Sequence, residues 1–387
     1  MQRIVIVGGG LAGFEAARAL RTQGFAGEVV MLAAEGEPPY DRPPLSKGVL
    51  AWRDVSLHFD VSAAADVDLR LGTPATGVNA GTVLTEAGSI ECDGVVLAVG
   101  ADPITLPGTT TLRTLTDAHQ LRDSLEMGAE VAIIGAGWIG AEVAFAAAEN
   151  GCSVTVYEAA DSPLSAALPA DLGLRTVQWY EQLGISLRLG ERVDDVSALG
   201  ADVVLAGLGA RPATGFLSDS GIEMRPGDGA IVVDDRLRSS TPGVVAVGDC
   251  AAWWSSRYDT RLRIEHWDTA LHAPAVAVAA LLAGESAVKS VEPYDPVPYF
   301  WSDQFGHTIQ CAGHRSATDR RVDRSEQGDW AVGWFADSAD GPQLTALAVV
   351  DRPRDLTQAR RLMTARTPID PEKFADPANP VKACTLG

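Results

Sequence analysis

The chain has 387 residues, a length at which a single hydrophobic core usually splits, so two or three domains are expected. Its formal net charge of −20 disfavours nonspecific binding to nucleic acid or to an anionic membrane. For the same reason, a small acidic partner would need a local basic patch on this protein. The five cysteines are widely spaced and form no C-x-x-C or metal-site pattern, which favours a reducing, cytoplasmic compartment. The first strand begins at Arg3, which leaves no room for a signal peptide, and the longest apolar stretch, Ala275 to Ala283, is too short to span a bilayer.

The first predicted elements are a strand, a glycine-rich turn and a helix. Residues 8–13, GGGLAG, follow a short apolar run and lead into an alanine-rich stretch of helical period. Gly8 permits the tight turn, Gly10 lets the backbone approach a pyrophosphate, and Gly13 lets the helix lie close on its strand. Glu35 ends the next strand at the spacing of a ribose-binding carboxylate, with a solvated loop acid as the alternative. The pattern predicts a dinucleotide site with phosphate at a helix N-terminus.

The same pattern returns further along the chain. Residues 135–140, GAGWIG, follow a second apolar run, and Gly135, Gly137 and Gly140 take the same three roles. Glu158 ends the strand that follows. Two complete βαβ units in one chain imply two dinucleotides and electron transfer between them.

The remaining elements indicate how the chain divides. Buried strands over 94–100 and 202–209 each end at a glycine and are followed by a proline-containing turn. The strand within 242–251 has no fingerprint of its own and is expected to return to the first domain. Short alternating runs after Pro293 predict an antiparallel sheet. The predicted fold is α/β, with two Rossmann-like dinucleotide-binding domains, 1–110 with 239–292 and 111–238, plus a C-terminal α+β domain, 293–387.

Blocks spread over the whole chain resemble one family. They are the two fingerprints, Pro39-Tyr-Asp-Arg-Pro-Pro-Leu-Ser-Lys47, Val247-Gly-Asp249, Arg263-Ile-Glu-His-Trp267 and Phe300-Trp-Ser-Asp-Gln304. The chain resembles the FAD-dependent NAD(P)H ferredoxin reductases that serve cytochrome P450 and Rieske-type oxygenases. These include putidaredoxin and rubredoxin reductases, are related to apoptosis-inducing factor, and share the glutathione-reductase-like fold. The resemblance implies an enzyme that passes electrons from NADH through FAD to a small iron–sulfur protein.

The resemblance also implies roles for residues on the flavin side. Arg42 and Lys47 face the flavin half of FAD, although without the matching block they would be ordinary surface cations. Asp249 hydrogen-bonds the ribityl chain, with a turn-forming aspartate as the alternative. Glu142 approaches Lys47 near the flavin N5, where hydride arrives. Trp138 covers the flavin until nicotinamide displaces it, unless it is a core aromatic.

Two further blocks are expected near the isoalloxazine ring. Glu265, His266 and Trp267 pass beside it in the resembling proteins, and His266 is either a flavin neighbour or a structural histidine. Trp301 corresponds to a tryptophan near the flavin and the partner-facing surface, with a structural role left open. No two of the six histidines have metal-ligand spacing within a Cys/His cluster, so no metal site is expected.

The segment 40–50 contains no cysteine, unlike the corresponding region of related disulfide reductases. Reduced flavin would therefore deliver its electrons to an outside acceptor, and a flavin can couple a two-electron donor to one-electron carriers. A flavoprotein NADH oxidase, a nitrite- or disulfide-type reductase on the same scaffold, and an NADH-sensing interaction protein remain alternatives.

Charge predicts the coenzyme and the partner. Glu158 would accept hydrogen bonds from the ribose hydroxyls of NADH and repel a 2′-phosphate, and residues 159–163 add Asp161 and no cation. Residues 352–366 hold five arginines against a single acid, Asp355, so a [2Fe–2S] ferredoxin or a rubredoxin-like protein could dock there, near Trp301. A solvated helix face is the alternative, and a monomer and a homodimer both remain open.

Overall fold

The computed structural model of the chain describes residues 1–53, 55–60, 66–79, 81–325 and 328–386. Within these ranges the polypeptide forms two parallel sheets covered by helices, of five and four strands, a five-stranded antiparallel sheet near the C-terminus, and three smaller sheets.

The first part of the chain supplies four strands of a five-stranded parallel sheet. Its elements and those that follow it are β1 (Arg3–Val7), α1 (Leu11–Thr22), β2 (Glu28–Leu32), β3 (Asp68–Arg70), β4 (Ala75–Asn79), β5 (Thr82–Thr85), β6 (Gly88–Glu91), β7 (Gly94–Leu97), β8 (Ala101–Pro103) and α2 (Leu115–Ser124). The β-branched run of β1 lies between β2 and β7, with Ile4 opposite both Val29 and Gly94. Since β1 is a central strand and its side chains pack in one hydrophobic cluster with those of α1 and α6, it is buried from Ile4 onward. Strands β4 to β6 form a separate antiparallel sheet.

The second part repeats this architecture. Its elements are β9 (Glu130–Ile134), α3 (Trp138–Glu149), β10 (Ser153–Glu158), α4 (Ala170–Leu174), α5 (Val177–Gln182), β11 (Ser186–Leu189), β12 (Val203–Ala206) and β13 (Ala210–Pro212). Strands β11, β10, β9 and β12 form a parallel sheet in that order. Strand β13 pairs antiparallel with β8, placing Ala210 opposite Pro103, so a short ribbon connects the two units.

The chain then returns to the first sheet. Its elements are β14 (Ile231–Val233), β15 (Val244–Ala246), β16 (Ala251–Ser255), β17 (Thr260–Leu262) and α6 (Trp267–Ala287). Strand β15 pairs with β7, with Val244 opposite Val95, so the predicted return of this strand to the first domain is confirmed. The numerical domain boundaries stay a prediction, which this pairing supports.

Helix α6 is longer than the apolar run at 275–283 suggested. By length and composition alone, the helical stretch Trp267–Ser290 is able to cross a membrane, a test that core helices of soluble proteins also pass. Its Ala277 and Leu281 are buried in the same hydrophobic cluster as β1 and α1. This packing identifies it as a helix of the first unit's core.

The C-terminal part is the predicted α+β domain. Its elements are β18 (Tyr299–Gln304), β19 (His307–Gly313), β20 (Arg320–Ser325), β21 (Ala331–Ala336), β22 (Gln343–Val350), α7 (Pro353–Thr364) and α8 (Pro371–Ala375). The five strands are antiparallel in the order β18, β19, β22, β21, β20. Leu356, Ala359 and Met363 of α7 pack against this sheet at helical spacing, together with Phe374 of α8.

A buried arginine fastens the C-terminal segment to the sheet. The Arg324 side chain is 1% exposed, and its Nε donates to Asp355 Oδ2 at 2.9 Å. Its Nη1 donates to the carbonyl oxygens of Phe374 and Asp376, at 2.7 and 3.0 Å. One guanidinium therefore stabilises both α7 and the chain that follows α8.

Replacing this guanidinium should destabilise the domain. Arg324→Met leaves buried acceptors and a carboxylate short of a donor, so we expect a loss of about 3 kcal/mol in the free energy of unfolding. Denaturant unfolding followed by tryptophan fluorescence measures it, since Trp330 and Trp334 lie in or beside the same sheet. Arg354→Met, at an exposed position of α7, is the control and should change stability by about 0.5 kcal/mol or less. Equal stability of the two variants would contradict this reading.

Candidate functional site

One cavity of about 1210 Å³ runs between the two parallel sheets and the C-terminal domain. Both glycine fingerprints line it, because the carboxyl ends of β1 and β9 open toward the same space. The predicted site residues that line it are Gly8, Gly10, Glu35, Arg42, Lys47, Gly135, Gly137, Trp138, Glu142, Glu158, Asp249, Glu265, His266, Trp267 and Trp301. The other two, Gly13 and Gly140, lie within the strand–helix packing beneath.

The two buried glycines explain how close each helix lies on its strand. A Cβ on Gly13 would lie 1.9 Å from the carbonyl oxygen of Gly8, and a Cβ on Gly140 would lie 2.0 Å from that of Gly135. Gly8 and Gly135 also have φ values of +123° and +105°, which L side chains rarely adopt. These positions accept only glycine, as the fingerprint roles require.

The middle glycine of each fingerprint faces the cavity. Gly10 and Gly137 are the N-caps of α1 and α3, and no side chain caps either helix. A Cβ on Gly10 would meet no described atom within 4 Å, so the space in front of the helix N-terminus is open. Free backbone N–H groups and the positive end of the helix dipole there suit a phosphate. The cavity therefore fits a dinucleotide pyrophosphate at both fingerprints.

Glu35 is tied to two neighbours. Its Oε2 accepts a hydrogen bond from Tyr40 Oη and its Oε1 accepts one from Arg42 Nη2, both at 2.6 Å. Burial raises the pKa of Tyr40 to about 12, so the phenol stays protonated and donates. Glu35 is not a free loop acid, and Arg42 lies beside the carboxylate predicted to bind adenosine ribose. The resemblance grouped Arg42 with Lys47 on the flavin half, whereas the structure pairs it with Glu35.

Asp249 lies at the turn after β15 and forms an ion pair. Its Oδ2 accepts from Arg113 Nη2 at 3.0 Å, and the Arg113 carbonyl oxygen accepts from Arg42 Nη1 at 2.5 Å. Both Asp249 and Arg113 line the cavity. Sequence reasoning missed Arg113 because it belongs to none of the motifs and meets Asp249 only across 136 residues of chain.

Glu142 is the most heavily hydrogen-bonded carboxylate at the site. Its side chain is 4% exposed, and Lys47 Nζ lies 3.0 Å from both of its oxygens. The hydroxyl of Ser46 donates to Oε2 and that of Ser302 donates to Oε1. Gln304 Nε2 in turn donates to Ser302 Oγ at 3.0 Å. The predicted Lys47–Glu142 pair is present, and the two serines were missed.

Three segments of the chain meet at this carboxylate. Ser46 and Lys47 come from the proline-containing loop of the first unit, Glu142 from α3 of the second and Ser302 from β18 of the third. Such a carboxylate stays ionised in a buried site only if its partners are well matched. The three segments therefore hold the Lys47–Glu142 pair in a fixed geometry.

Aromatic rings form one wall of the cavity. His266 lies 4.7 Å from Phe300 and 4.5 Å from Trp301, ring centre to ring centre. Burial, with the nearby charges of Lys47 and Arg360, lowers the pKa of His266 to about 4, so it is neutral near pH 7. Its Nε2 is 3.3 Å from the Trp301 backbone nitrogen, which fixes the ring against β18.

Three other predicted residues lie around these rings. Trp267 Nε1 donates to Asp41 Oδ1 at 2.9 Å; burial raises the pKa of Asp41, and this hydrogen bond opposes that shift. Trp138 packs on Phe300 with ring centres 4.4 Å apart. Glu265 pairs with Arg263, and burial raises the pKa of its carboxyl. Each of these side chains lines the cavity except Arg263.

Glu158 is held by the backbone of the second unit. Its Oε2 accepts from the Ala136 N–H and its Oε1 from the Ala160 N–H, both at 2.8 Å. The carboxylate therefore lies beside the fingerprint turn at 135–137, with both oxygens fixed by backbone N–H groups. Each oxygen keeps a further lone pair with which to accept a ribose hydroxyl.

The described residues include all five cysteines. All five cysteines are free, and Cys250, beside Asp249, is fully buried with its pKa raised by burial to about 12. Among the described residues no group of three His, Cys, Asp or Glu side chains is placed to hold a metal ion.

The hydrogen bond from the Ser302 hydroxyl to Glu142 should contribute measurably to the free energy of unfolding. Ser302→Ala removes a hydrogen bond to a buried charge, so we expect about 1.5–3 kcal/mol of destabilisation in denaturant unfolding. Thr308→Val is the matched control, since the Thr308 hydroxyl donates at 2.8 Å to half-buried Asp303 on the paired strands of the same sheet. If the two variants lose the same stability, Ser302 does not stabilise Glu142.

Comparisons with known proteins agree with this geometry. Residues 2–273 match the family described as pyridine nucleotide-disulphide oxidoreductase, and residues 299–385 match that described as reductase C-terminal. The ferredoxin–NAD(+) reductase component of the anthranilate 1,2-dioxygenase system of Burkholderia cepacia is 33% identical, covering 96% of this chain and 97% of that protein.

Two solved structures superpose on nearly the whole chain. The crystal structure of Fdr9 has a TM-score of 0.88 and 44% identity, covering 98% of this chain and 99% of that one. The reductase in the covalent putidaredoxin reductase–putidaredoxin complex has a TM-score of 0.88 and 29% identity, covering 98% and 97%. With both fingerprints, the shared cavity and the C-terminal sheet in place, the chain belongs to the pyridine nucleotide-disulphide oxidoreductase family and carries the reductase C-terminal domain.

Proposed function

We propose that the protein is a FAD-containing NADH:ferredoxin reductase that passes electrons from NADH to a small iron–sulfur protein serving a cytochrome P450 or a Rieske-type oxygenase. The observation that carries the proposal is the single cavity lined by both fingerprints, with no cysteine in the loop over 40–50. One dinucleotide can meet the other there, while the chain offers no thiol pair to take the electrons onward. Relatives named as ferredoxin–NAD(+) reductases, and the solved complex of one relative with putidaredoxin, a [2Fe–2S] ferredoxin, support the acceptor.

FAD would be held in the first unit. Gly8 permits the tight turn, Gly10 leaves room for the pyrophosphate, and Glu35 is fixed by Arg42 and Tyr40 where the adenosine ribose is expected. Bound FAD supplies hydride acceptance and single-electron release, which no side chain of the protein provides.

Lys47 and Glu142 would set the electrostatics beside the flavin. The Lys47 ammonium is partly exposed to the cavity, whereas Glu142 is buried behind it. This arrangement presents a positive charge whose counter-ion is held in place by the hydroxyls of Ser46 and Ser302. Hydride transfer needs no general base and depends on close stacking of the two rings, so fixing that geometry is the contribution expected of these side chains.

NADH would lie against the second unit. Glu158, with both oxygens held by backbone N–H groups, is available to accept the 2′- and 3′-hydroxyls of its adenosine ribose. Trp138, at the first position of α3, lines the cavity where the nicotinamide half is expected.

The acceptor would dock near Trp301. This ring lines the cavity and stacks on Tyr299 with centres 5.7 Å apart, and the Arg360 guanidinium lies 4.4 Å from the centre of Tyr299. An aromatic path thus leads from the cavity to a cation on α7. Cation–π contact and proximity to Asp268, at 3.6 Å, hold Arg360 in place, so it is partly structural.

Two other arginines of α7 are better placed to meet a partner. Arg354 and Arg361 lie seven residues apart, hence on one face of the helix, and both are exposed. Within the described residues neither forms an ion pair, whereas Arg352 is engaged with Asp355 at 2.8 Å. We propose this pair of arginines as the basic surface for an acidic ferredoxin, in a cytoplasmic protein that is a monomer or a homodimer.

Turnover with a [2Fe–2S] ferredoxin tests both function and surface. Arg354→Glu with Arg361→Glu should lower the rate about tenfold at low ionic strength and flatten its salt dependence, because steering by exposed charges is screened within ~10 Å at 0.1 M salt. Ferricyanide reduction should be unchanged. Arg188→Glu with Lys289→Glu, both exposed and outside the cavity, makes the same change in net charge and should leave both rates near wild type.

Each alternative gives a different result. Fast oxygen consumption without ferredoxin reduction would identify an NADH oxidase. A flavin that NADH reduces, but that neither acceptor reoxidises, would identify a sensor. Equal salt slopes for the wild type and the α7 variant would place the docking surface elsewhere.

A further inference from the structure

The strand order of the second sheet brings a distant cation to the coenzyme site. Strands β10 and β11 are parallel, with Glu158 directly opposite Leu189. Residues 190–192 therefore leave the sheet beside residues 159–161. The loops are bonded together: the Glu191 N–H donates to the Glu158 carbonyl and the Gly190 N–H to the Ala160 carbonyl, both at 2.9 Å. From sequence, the region after Glu158 had no cation.

That cation is Arg192. Its side chain lines the same cavity as Glu158 and Ala159. It is 81% exposed, and its Nε contacts Asp194, itself 84% exposed, at 3.2 Å. An exposed pair of this kind holds an arginine only weakly. Within the described residues the two terminal nitrogens of Arg192 make no hydrogen bond, so their donors are available to a ligand.

The opposing charges at this edge are carboxylates. Glu158 is pinned by Ala136 and Ala160, and Glu191, exposed and also lining the cavity, precedes Arg192. A 2′-phosphate on the adenosine ribose would meet Glu158 first and Arg192 beside it. A guanidinium presents paired donors that match a phosphate, so it could hold this group once the nearest carboxylate is neutral.

We propose that Arg192 is a specificity-determining residue that forms a 2′-phosphate subsite, which Glu158 closes in the wild-type protein. Coenzyme choice then depends on a pair of opposed side chains, one on each of two neighbouring loops. The proposal rests on the proposed function only in placing the pyridine nucleotide at the second fingerprint. It does not depend on the electron acceptor.

Binding of adenosine fragments to the FAD-loaded protein tests the subsite without catalysis. Isothermal titration with 2′,5′-ADP and with 5′-AMP would compare wild type, Glu158→Gln, Arg192→Gln and the double variant. We expect Glu158→Gln to tighten 2′,5′-ADP at least tenfold, in line with a charge-assisted arginine–phosphate contact. In the double variant the increase in 2′,5′-ADP affinity over wild type should fall below about threefold, because the Arg192 guanidinium is absent.

Controls separate this effect from general damage. Arg192→Gln should change 5′-AMP binding less than about threefold, since that fragment has no 2′-phosphate. Arg188→Gln, exposed on β11 but outside the cavity, should leave both fragments unaffected in the Glu158→Gln background. Glu158→Ala serves as a second neutral variant if the glutamine side chain distorts the loop.

The outcomes are distinct. Equal affinity of 2′,5′-ADP for Glu158→Gln with and without Arg192 overturns the proposal, even if 5′-AMP binds normally and the assigned coenzyme site stands. Failure of wild type to bind either fragment overturns both this proposal and the coenzyme site on which the proposed function depends. The proposal is supported if Glu158→Gln binds 2′,5′-ADP more tightly than wild type, if Arg192→Gln abolishes that increase, and if 5′-AMP binding is retained.

Discussion

The buried carboxylate of Glu142 is the constraint on which the arrangement of the site depends. Glu142 lies on the helix of the second fingerprint. It accepts hydrogen bonds from the loop that carries Lys47 and from Ser302 of β18. An unpaired charge at 4% exposure would cost several kcal/mol, so the three parts of the chain are held in the one geometry that satisfies it. The C-terminal domain thus lies beside the cavity and also supplies, through Ser302, one of the hydrogen bonds that stabilise the buried charge of Glu142.

The backbone supplies the second constraint. Both fingerprints require glycine because neighbouring carbonyl oxygens lie where a Cβ would be, and that closeness brings each helix N-terminus to the edge of its sheet. Two phosphate-binding ends therefore open into one cavity. In this view the cofactors meet because two copies of one local motif open into one cavity, which residues of the β8–β13 ribbon also line.

How much the sequence predicts follows from how local each feature is. The fingerprints, the strand β15 that returns to the first sheet and the antiparallel C-terminal sheet were predicted, because short-range pattern and turn chemistry determine them. The Lys47–Glu142 pair was predicted only through the family resemblance. Arg113, Ser302 and Arg192 were missed, since each meets its site through contacts between segments far apart in sequence. Ser302 lies within the quoted block 300–304, but nothing local indicates that it meets Glu142. The basic segment 352–366 was interpreted as one patch, but packing divides it into arginines that contact Asp355 or Tyr299 and arginines that form no ion pair in the described part of the chain.

The central claim is that flavin is the last redox group within this chain and that no thiol pair takes part. Cys250 is buried and protonated, and all five cysteines are free. An anaerobic reductive titration of the FAD-loaded protein, followed by flavin absorbance, measures this most directly. The account predicts that two electrons per FAD complete the reduction. Uptake of four electrons per FAD would reveal a second two-electron couple, such as a disulfide, and would contradict it.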